Sequence, residues 1–401
     1  MQLDFHYYAT YCAAFIAGYD HTDSLVIAYS AQFVDCCTRV LLKKIGASRQ
    51  AATTQLQSEL MDAPTDPVGL QDITRIWASF HFLPGDLYAQ REQRCSKRFL
   101  RKYRLICNPD SELIVSTVEL AKGRSLQAAG LAMHVLADTW AHRYFAGTPS
   151  FAINNTNYHF FEIIPDGDGY TERKVRFNHN PVTPDDAEQG IYTNSVVQNN
   201  ENSIMNLGHG RAGHFPDYSW ARYRYMPSWG AYREIVKDNP SDYYNAFCQM
   251  VYALKYLRGV NERFEVRTYD TDAVKPWHDR ITEILQKRQL DSCEDWKALG
   301  AELSGKQPED FDIEKYQQEY MDAQEENKDE TFIGKFVLAA LAQKSMVTNR
   351  IYSSGSMLAG MSADYSRKGF RGIKDFRKLV EERTRETLDL KSSGQNEDRK
   401  E

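Results

Sequence analysis

The chain has 401 residues, a formal net charge of −6 at pH 7 and a pI near 6.0, with 42% hydrophobic and 12% aromatic residues. That length leaves room for a sizeable core, and the missing basic excess excludes long duplex nucleic acid as the expected partner. A small phosphoester, a phospholipid head group or a short single strand remains open, because a local metal cluster can supply positive charge that the composition lacks.

No apolar run, such as Ala13 to Ala17 or Phe336 to Ala342, approaches the roughly 20 residues that cross a bilayer. The start MQLDFHYYATYCAAFIAGY has neither the basic opening nor the cleavage site of a secretory signal, so the expected location is cytoplasmic, with signal-independent secretion as the other route. The seven cysteines are irregularly spaced and form no CxxC pair, which reads as reduced packing residues.

In chain order, Phe5 to Tyr19 predicts a helix closed by Gly18 and carrying His6. Thr22 or Asp23 is expected to cap a second, running through Val34 to Leu42 and carrying Asp35. A polar stretch from Ala47 to Pro67 leads to a short helix ending near Ile76 to Phe82, with His81 just ahead of the Pro84-Gly85-Asp86 turn. Asp110 or Ser111 caps a helix predicted to continue through Leu126, Met133 and Trp140 to Phe145, where Gly147 and Pro149 stop it. Residues 150–206 break the helical pattern. There YHFFEII and ERKVRFNH around PDGDGYT predict a β-hairpin, followed by an Asn-rich loop to Asn206.

Helical spacing resumes over Ser241 to Val260, Asp272 to Leu290, Ile313 to Ala323, Glu330 to Tyr352 and Gly372 to Leu390. The expected organisation is mainly α: a metal-binding helical core over 1–260 with the hairpin and loop of 150–206 inserted, a C-terminal helical region over 261–390 and a disordered tail over 391–401. The acidic stretch PEDFDIEKYQQEYMDAQEENKDE reads as a solvated face.

The chemistry concentrates in LAMHVLADTWAH, where His134, Asp138 and His142 follow one another at four-residue steps. Each step advances about 40° around the axis, so all three lie on one stripe of an otherwise apolar helix. Burying a carboxylate between two imidazoles costs several kcal/mol unless a cation or a complete hydrogen-bond network compensates. The two histidines are about 12 Å apart along the axis, too far for one ion. Two ions with Asp138 near or bridging both are therefore expected, against the plainer reading of a His-Asp-His polar seam.

One stripe cannot complete two sites, so further ligands are sought in His6, Asp35, His81, His209, His214 and Asp217. LGHGRAGHFPDYSW reads as a ligand loop, its glycines Gly208, Gly210 and Gly213 permitting turns that bring His209 and His214 close, with Asp217 as ligand or orienting acid. The following aromatic strip carries Trp220, Tyr223, Tyr225 and Trp229 interleaved with Arg222 and Arg224. It is either packing or a substrate wall, and Arg211, Arg222 and Trp220 are the residues taken as substrate-binding.

The order His6, Asp35, His81, HxxxD at His134 and Asp138, His142, then a late His with an acid resembles the zinc-dependent phospholipase C and single-strand nuclease superfamily. LQAAGLAMHVLADTWAH carries the local likeness, and ligand order extends it over residues 1–260. MQLDFHYYATYCAAFIAGY and LGHGRAGHFPD also look like an uncharacterised bacterial family distantly related to that superfamily.

The resemblance implies a phospholipase C-like helical core and two or three zinc ions. Asp35, His81, His134 and Asp138 would surround one, His142 with His209 or His214 and Asp217 another, and His6 with Asp138 a third. It further implies phosphoester hydrolysis with Asp35 and Asp138 as the catalytic carboxylates. Manganese or iron also suits such ligands. Three departures stand out: Met1-Gln2 occupies the place of the superfamily's N-terminal Trp, His142 follows Asp138 sooner, and His214 and Asp217 are one residue closer than the late pair.

Two other readings compete. An HD-type phosphohydrolase needs an adjacent His-Asp doublet, which occurs only at His278-Asp279, away from the stripe. A non-enzymatic, metal-stabilised scaffold or interaction protein would be expected to hold a closed, Cys-rich zinc site.

Overall fold

A computed structural model describes residues 1–56, 59, 67–85, 87, 105–149, 159–178, 183–194, 208–227 and 233–360. The expected Asn-rich loop, Trp229, Cys95, the Gly372 to Leu390 helix and the 391–401 tail lie outside these residues. The described chain is mainly helical with small sheets. No described helix is long and apolar enough to cross a membrane.

A π-helical turn over Asp4–Ala9 runs into helix α1 (Thr10–Ile16), and α2 (His21–Cys36) follows. Its N-cap is Asp20, ahead of the Thr22 or Asp23 expected, because the Asp20 carboxylate accepts from the Asp23 N–H at 2.8 Å. The expected run to Leu42 is interrupted: Thr38 leaves the helical region and caps a separate α3 (Arg39–Lys44). After α4 (Pro67–Phe80), the long helix predicted from Ser111 to Phe145 is likewise two, α5 (Glu112–Ala121) and α6 (Leu126–Ala141). Lys122 turns to an extended ψ of 130°, and the Ser125 hydroxyl accepts from the Ala128 N–H to start α6 afresh. An uninterrupted apolar spacing concealed that break.

Helix α6 is sheathed on all sides, every residue from Gln127 to Ala141 being buried. It packs most extensively on α2. The closest approach is at Gly130, where a Cβ would lie 2.2 Å from the Ile27 carbonyl oxygen and 2.6 Å from Ser30 Cβ. From that point Ile27, Ala31 and Asp35 ascend α2 at four-residue steps, as Gly130, His134 and Asp138 ascend α6. The close contact thus carries Asp35 towards the stripe.

The hairpin is present, β1 (Phe161–Asp166) pairing antiparallel with β2 (Gly169–Lys174). Short β3 (Arg176–Asn178) and β4 (Ile191–Thr193) pair in parallel. Beyond the expected insertion, the aromatic strip forms β5 (Arg222–Tyr225) and IVKD forms β6 (Ile235–Asp238), giving a four-stranded sheet in the order β2-β1-β5-β6. Alternation places Tyr223 and Tyr225 inward. They join Phe82, Phe145, Phe160, Tyr192, Phe215 and Trp220 in a second apolar cluster, distinct from the helical core.

The chain then enters α7 (Asn239–Leu257), a short turn over Thr271–Val274, and α8 (His278–Gln286), the last two dividing the single helix expected over Asp272 to Leu290. α9 (Cys293–Ser304), α10 (Gln317–Asp322) and α11 (Phe332–Ser353) follow. α11 packs on α4 and α6 as part of the helical core, which extends from Met1 to Ala359. The six described cysteines are all free thiols.

Candidate metal centre

Asp35 stands one residue from the end of α2, His81 one residue beyond α4, His134 and Asp138 within α6, and His6 in the π-helical turn. The widened turn places His6 against α6, its ring stacked on His134 with centroids 3.8 Å apart. Asp138 lies between two sets of nitrogens. Its Oδ1 is 3.1 Å from His6 Nε2, and its Oδ2 is 3.1 Å from both His81 Nδ1 and His134 Nε2. His134 Nε2 and His81 Nδ1 are 3.3 Å apart, and Asp35 Oδ1 lies 3.9 Å from the first and 3.8 Å from the second.

A second group forms at the C-terminus of α6. His142 Nε2 is 3.1 Å from Asp217 Oδ1, and His209 Nε2 is 3.2 Å from the same oxygen. His209 comes from the short helix Gly208–Ala212 and Asp217 from the 3-10 turn Phe215–Asp217. Gly213 makes the intervening bend at φ 59°, where a Cβ would fall 1.9 Å from the Thr193 carbonyl oxygen. The Met1 amine reaches Asp138 Oδ1 and Asp217 Oδ1 at 3.1 Å each and His142 Nε2 at 3.2 Å.

Backbone carbonyls choose which nitrogen each imidazole presents. A carbonyl only accepts, so His81 Nε2–H donates to Thr53 O at 3.0 Å and His142 Nδ1–H donates to His81 O at 2.7 Å. Thr53 is held for this by its own N–H on Cys37 O and its hydroxyl on Val34 O. His81 Nδ1 and His142 Nε2 are left facing carboxylate oxygens. Beside His142 Nε2 and Asp217 Oδ1 the compensating cation is the Met1 ammonium, whereas the His81 Nδ1 lone pair, 3.1 Å from Asp138 Oδ2, calls for a proton or a metal.

Burial would raise the carboxyl of Asp138, but His142, the Met1 amine and His134 outweigh it and hold Asp138 well below the usual carboxylate range. Asp217 is held down against the same burial by the amine and His209. Burial pushes His142 and His6 down to about 4. At neutral pH both are therefore neutral imidazoles with lone pairs to offer. Burial opposes charge on His81 as well, yet the Asp138 hydrogen bond and charge raise it.

Neither nitrogen of His6 makes a hydrogen bond of sound geometry, nor does Nδ1 of His134, although both side chains are completely buried. Of these atoms His6 Nε2 faces Asp138 Oδ1, and a metal ion beside that oxygen would give the nitrogen the partner that buried polar atoms normally have in native interiors. Tetrahedral zinc with N and O donors at about 2.0–2.1 Å would set donor atoms ~3.3 Å apart. The separations of 3.1–3.3 Å found here suit that spacing and direct hydrogen bonds alike, while those to Asp35 are wider. Three His/Asp groups have donor atoms mutually within 4.8 Å: His6, His134 and Asp138; Asp35, His81 and His134; His142, His209 and Asp217.

Of the predicted ligands, His214 is apart. Its side chain is 68% exposed and its Nδ1 is 3.5 Å from Asp217 Oδ2, outside the three groups. Trp220 is buried, its indole N–H donating to Gln289 O and its ring lying under Arg288. Arg222 pairs with Asp238 across β5 and β6, and Arg211 is 3% exposed. Of the aromatic strip, Trp220, Tyr223 and Tyr225 are buried in the second apolar cluster. Sequence reasoning did not find Thr53 or the carbonyl of His81, because a main-chain acceptor leaves no residue-type signature.

The profile of a family of unknown function, DUF6765, matches residues 1–351. No curated protein and no solved structure matches the chain.

Proposed function

Because the chain belongs to this DUF6765 family, whose function is unknown, we propose an activity from the site itself: it is a divalent-metal-dependent phosphoester hydrolase, with zinc the best-fitting ion. The observation carrying the reading is the convergence of buried His and Asp donors at 3.1–3.3 Å, with Thr53 O and His81 O behind them selecting the nitrogens turned inward. The likeness to the phospholipase C and single-strand nuclease superfamily is part of this proposal, and the residues that would hold ions fall into the groups His6, His134 and Asp138; Asp35, His81 and His134; and His142, His209 and Asp217.

Bound ions would act as Lewis acids on phosphate oxygens and lower the pKa of water. The chain's own residues would do the rest. Asp138, 1% exposed, divides its two oxygens between the His6 and the His81/His134 nitrogens and keeps these donors at fixed separation. Asp35, whose side chain is 30% exposed, is the most open of the ligand carboxylates, and we assign it the reacting face, where its oxygen takes the proton of the attacking water. Phe82, stacked on His142 at 4.7 Å, and Phe145, 5.2 Å from His209, wall the other side with apolar surface and keep water from it.

The test is metal content per chain on protein purified without chelator and then supplied with zinc, alongside a screen of phosphodiester and phospholipid substrates. Two or three equivalents, with hydrolysis lost on stripping and restored on reloading, is the expected result. A chain that stays metal-free would overturn the reading. Metal without turnover of any phosphoester would favour a metal-stabilised scaffold.

A further inference from the structure

The segment Lys237–Tyr243 contributes no ligand, yet it grips the backbone beside two of them. Lys237, 1% exposed at the end of β6, donates from Nζ to Trp140 O at 2.8 Å, two residues before His142, and also pairs with Asp242. Asn239 donates from Nδ2 to Pro216 O and Tyr218 O, both at 2.8 Å, one on each side of Asp217. Tyr243, in the first turns of α7, donates from its hydroxyl to Asp217 O at 2.6 Å. Asn239 and Tyr243 are as buried as Lys237.

We propose that this segment is a clamp that sets the separation of His142 from Asp217, and thereby the affinity of the His142/His209/Asp217 group for a divalent ion. The proposal rests on the metal reading above.

The argument is one of rigidity. His142 caps a helix end, where the last carbonyls have no intrahelical partner, and Lys237 supplies both a donor and a cation at that end. Asp217 sits on a 3-10 turn whose backbone has little regular structure to hold it, and three of its carbonyls, those of Pro216, Asp217 and Tyr218, are taken by Asn239 and Tyr243. Lys237, Asn239 and Tyr243 lie within seven residues of one another, on a strand that passes directly into a helix. The two ligand-bearing elements are therefore referred to one short, stiff piece of chain. A ligand set works only when held to about 0.5 Å, and supporting partners of ligands typically carry about ten- to a hundredfold in metal affinity.

The full chain is stripped, reloaded with zinc and titrated against a competing chelator so that tight and weak ions are resolved, with cobalt(II) visible spectra as a second readout. Tyr243→Phe and Lys237→Met are each expected to weaken one class of ion by about ten- to a hundredfold and shift its cobalt bands, leaving the other class as in wild type. Ser125→Ala, which loosens the site helix far from the clamp, should not separate the classes. If Tyr243→Phe fails to fold, Lys237→Met reads the same separation from the other element. Unchanged affinities, or equal weakening of both classes, would overturn the clamp while the metal reading stands. A wild-type chain that takes up no zinc would overturn both.

Discussion

Two halves of the site are built by different means. On one side, Asp35, His134 and Asp138 project from packed α-helices at four-residue steps, joined in the large helical core by His6 from the π-helical turn and His81 from just beyond α4. On the other, His209 and Asp217 come from short turns backed by the small sheet and its aromatic cluster, and cross-element hydrogen bonds hold them. His142 is the hinge between the two, covalently part of the stripe but facing the turns. Periodic secondary structure can place a ligand by itself, whereas an irregular turn needs partners from elsewhere in the chain.

The largest effect should come from removing the residue on which the helical half converges. Asp138→Ala withdraws oxygens from both the His6 and the His81/His134 nitrogens, so metal content should fall by most of its equivalents and hydrolysis with it, measured by elemental analysis and turnover on one preparation. His209→Ala should act on the turn-borne half alone. It removes one donor from the Asp217 group, so one class of ion is expected to be lost while the other survives chelator challenge as in wild type.

Acid should weaken both halves of the metal-free chain together. Buried His6 and His142 have folded pKa values near 4, below the ordinary 6.5, so between these values the unfolded chain binds protons that the folded chain refuses. Stability is thus full above about pH 6.5 and is lost as pH falls towards 4, by about 1.4 kcal/mol per pH unit for each histidine. Denaturant midpoints of stripped protein at pH 7 and pH 5 check this, and equal midpoints would contradict it. The smallest effect belongs to Ser125→Ala, which deletes the cap of the site helix and should cost about 1 kcal/mol in thermal unfolding without changing the ion count.

The stripe His134, Asp138 and His142 was legible because three polar side chains at helical spacing in an apolar run have few inexpensive explanations. His6, Asp35 and His81 could be proposed only as company, since nothing local distinguishes a ligand histidine from a packed one until the tertiary contacts exist. His209 and His214 could not be separated, because which of them reaches Asp217 depends on a bend at Gly213 made against Thr193 in another strand. The helix breaks at Cys37 and Lys122 escaped notice for a related reason: capping by Thr38 and Ser125 is short-range chemistry set within a hydrophobic pattern that continues across it. Strand β5 was missed because alternating Arg and Tyr suits a binding surface and a half-buried strand equally well, and β6 because the four residues IVKD are too few to show a period.

Gly130 lies outside the three His/Asp groups, yet it gauges the spacing of the helices that carry Asp35 and His134. With hydrogen in place of a methyl group, α2 and α6 close to contact one turn below His134, and Asp35 arrives 3.9 Å from the His134 ring. Any larger residue there would act as a shim, prising the two helices apart at Ile27 and swinging Asp35 outward. The gap between carboxylate and imidazole is thus set by a methyl group that is missing, one helical turn away.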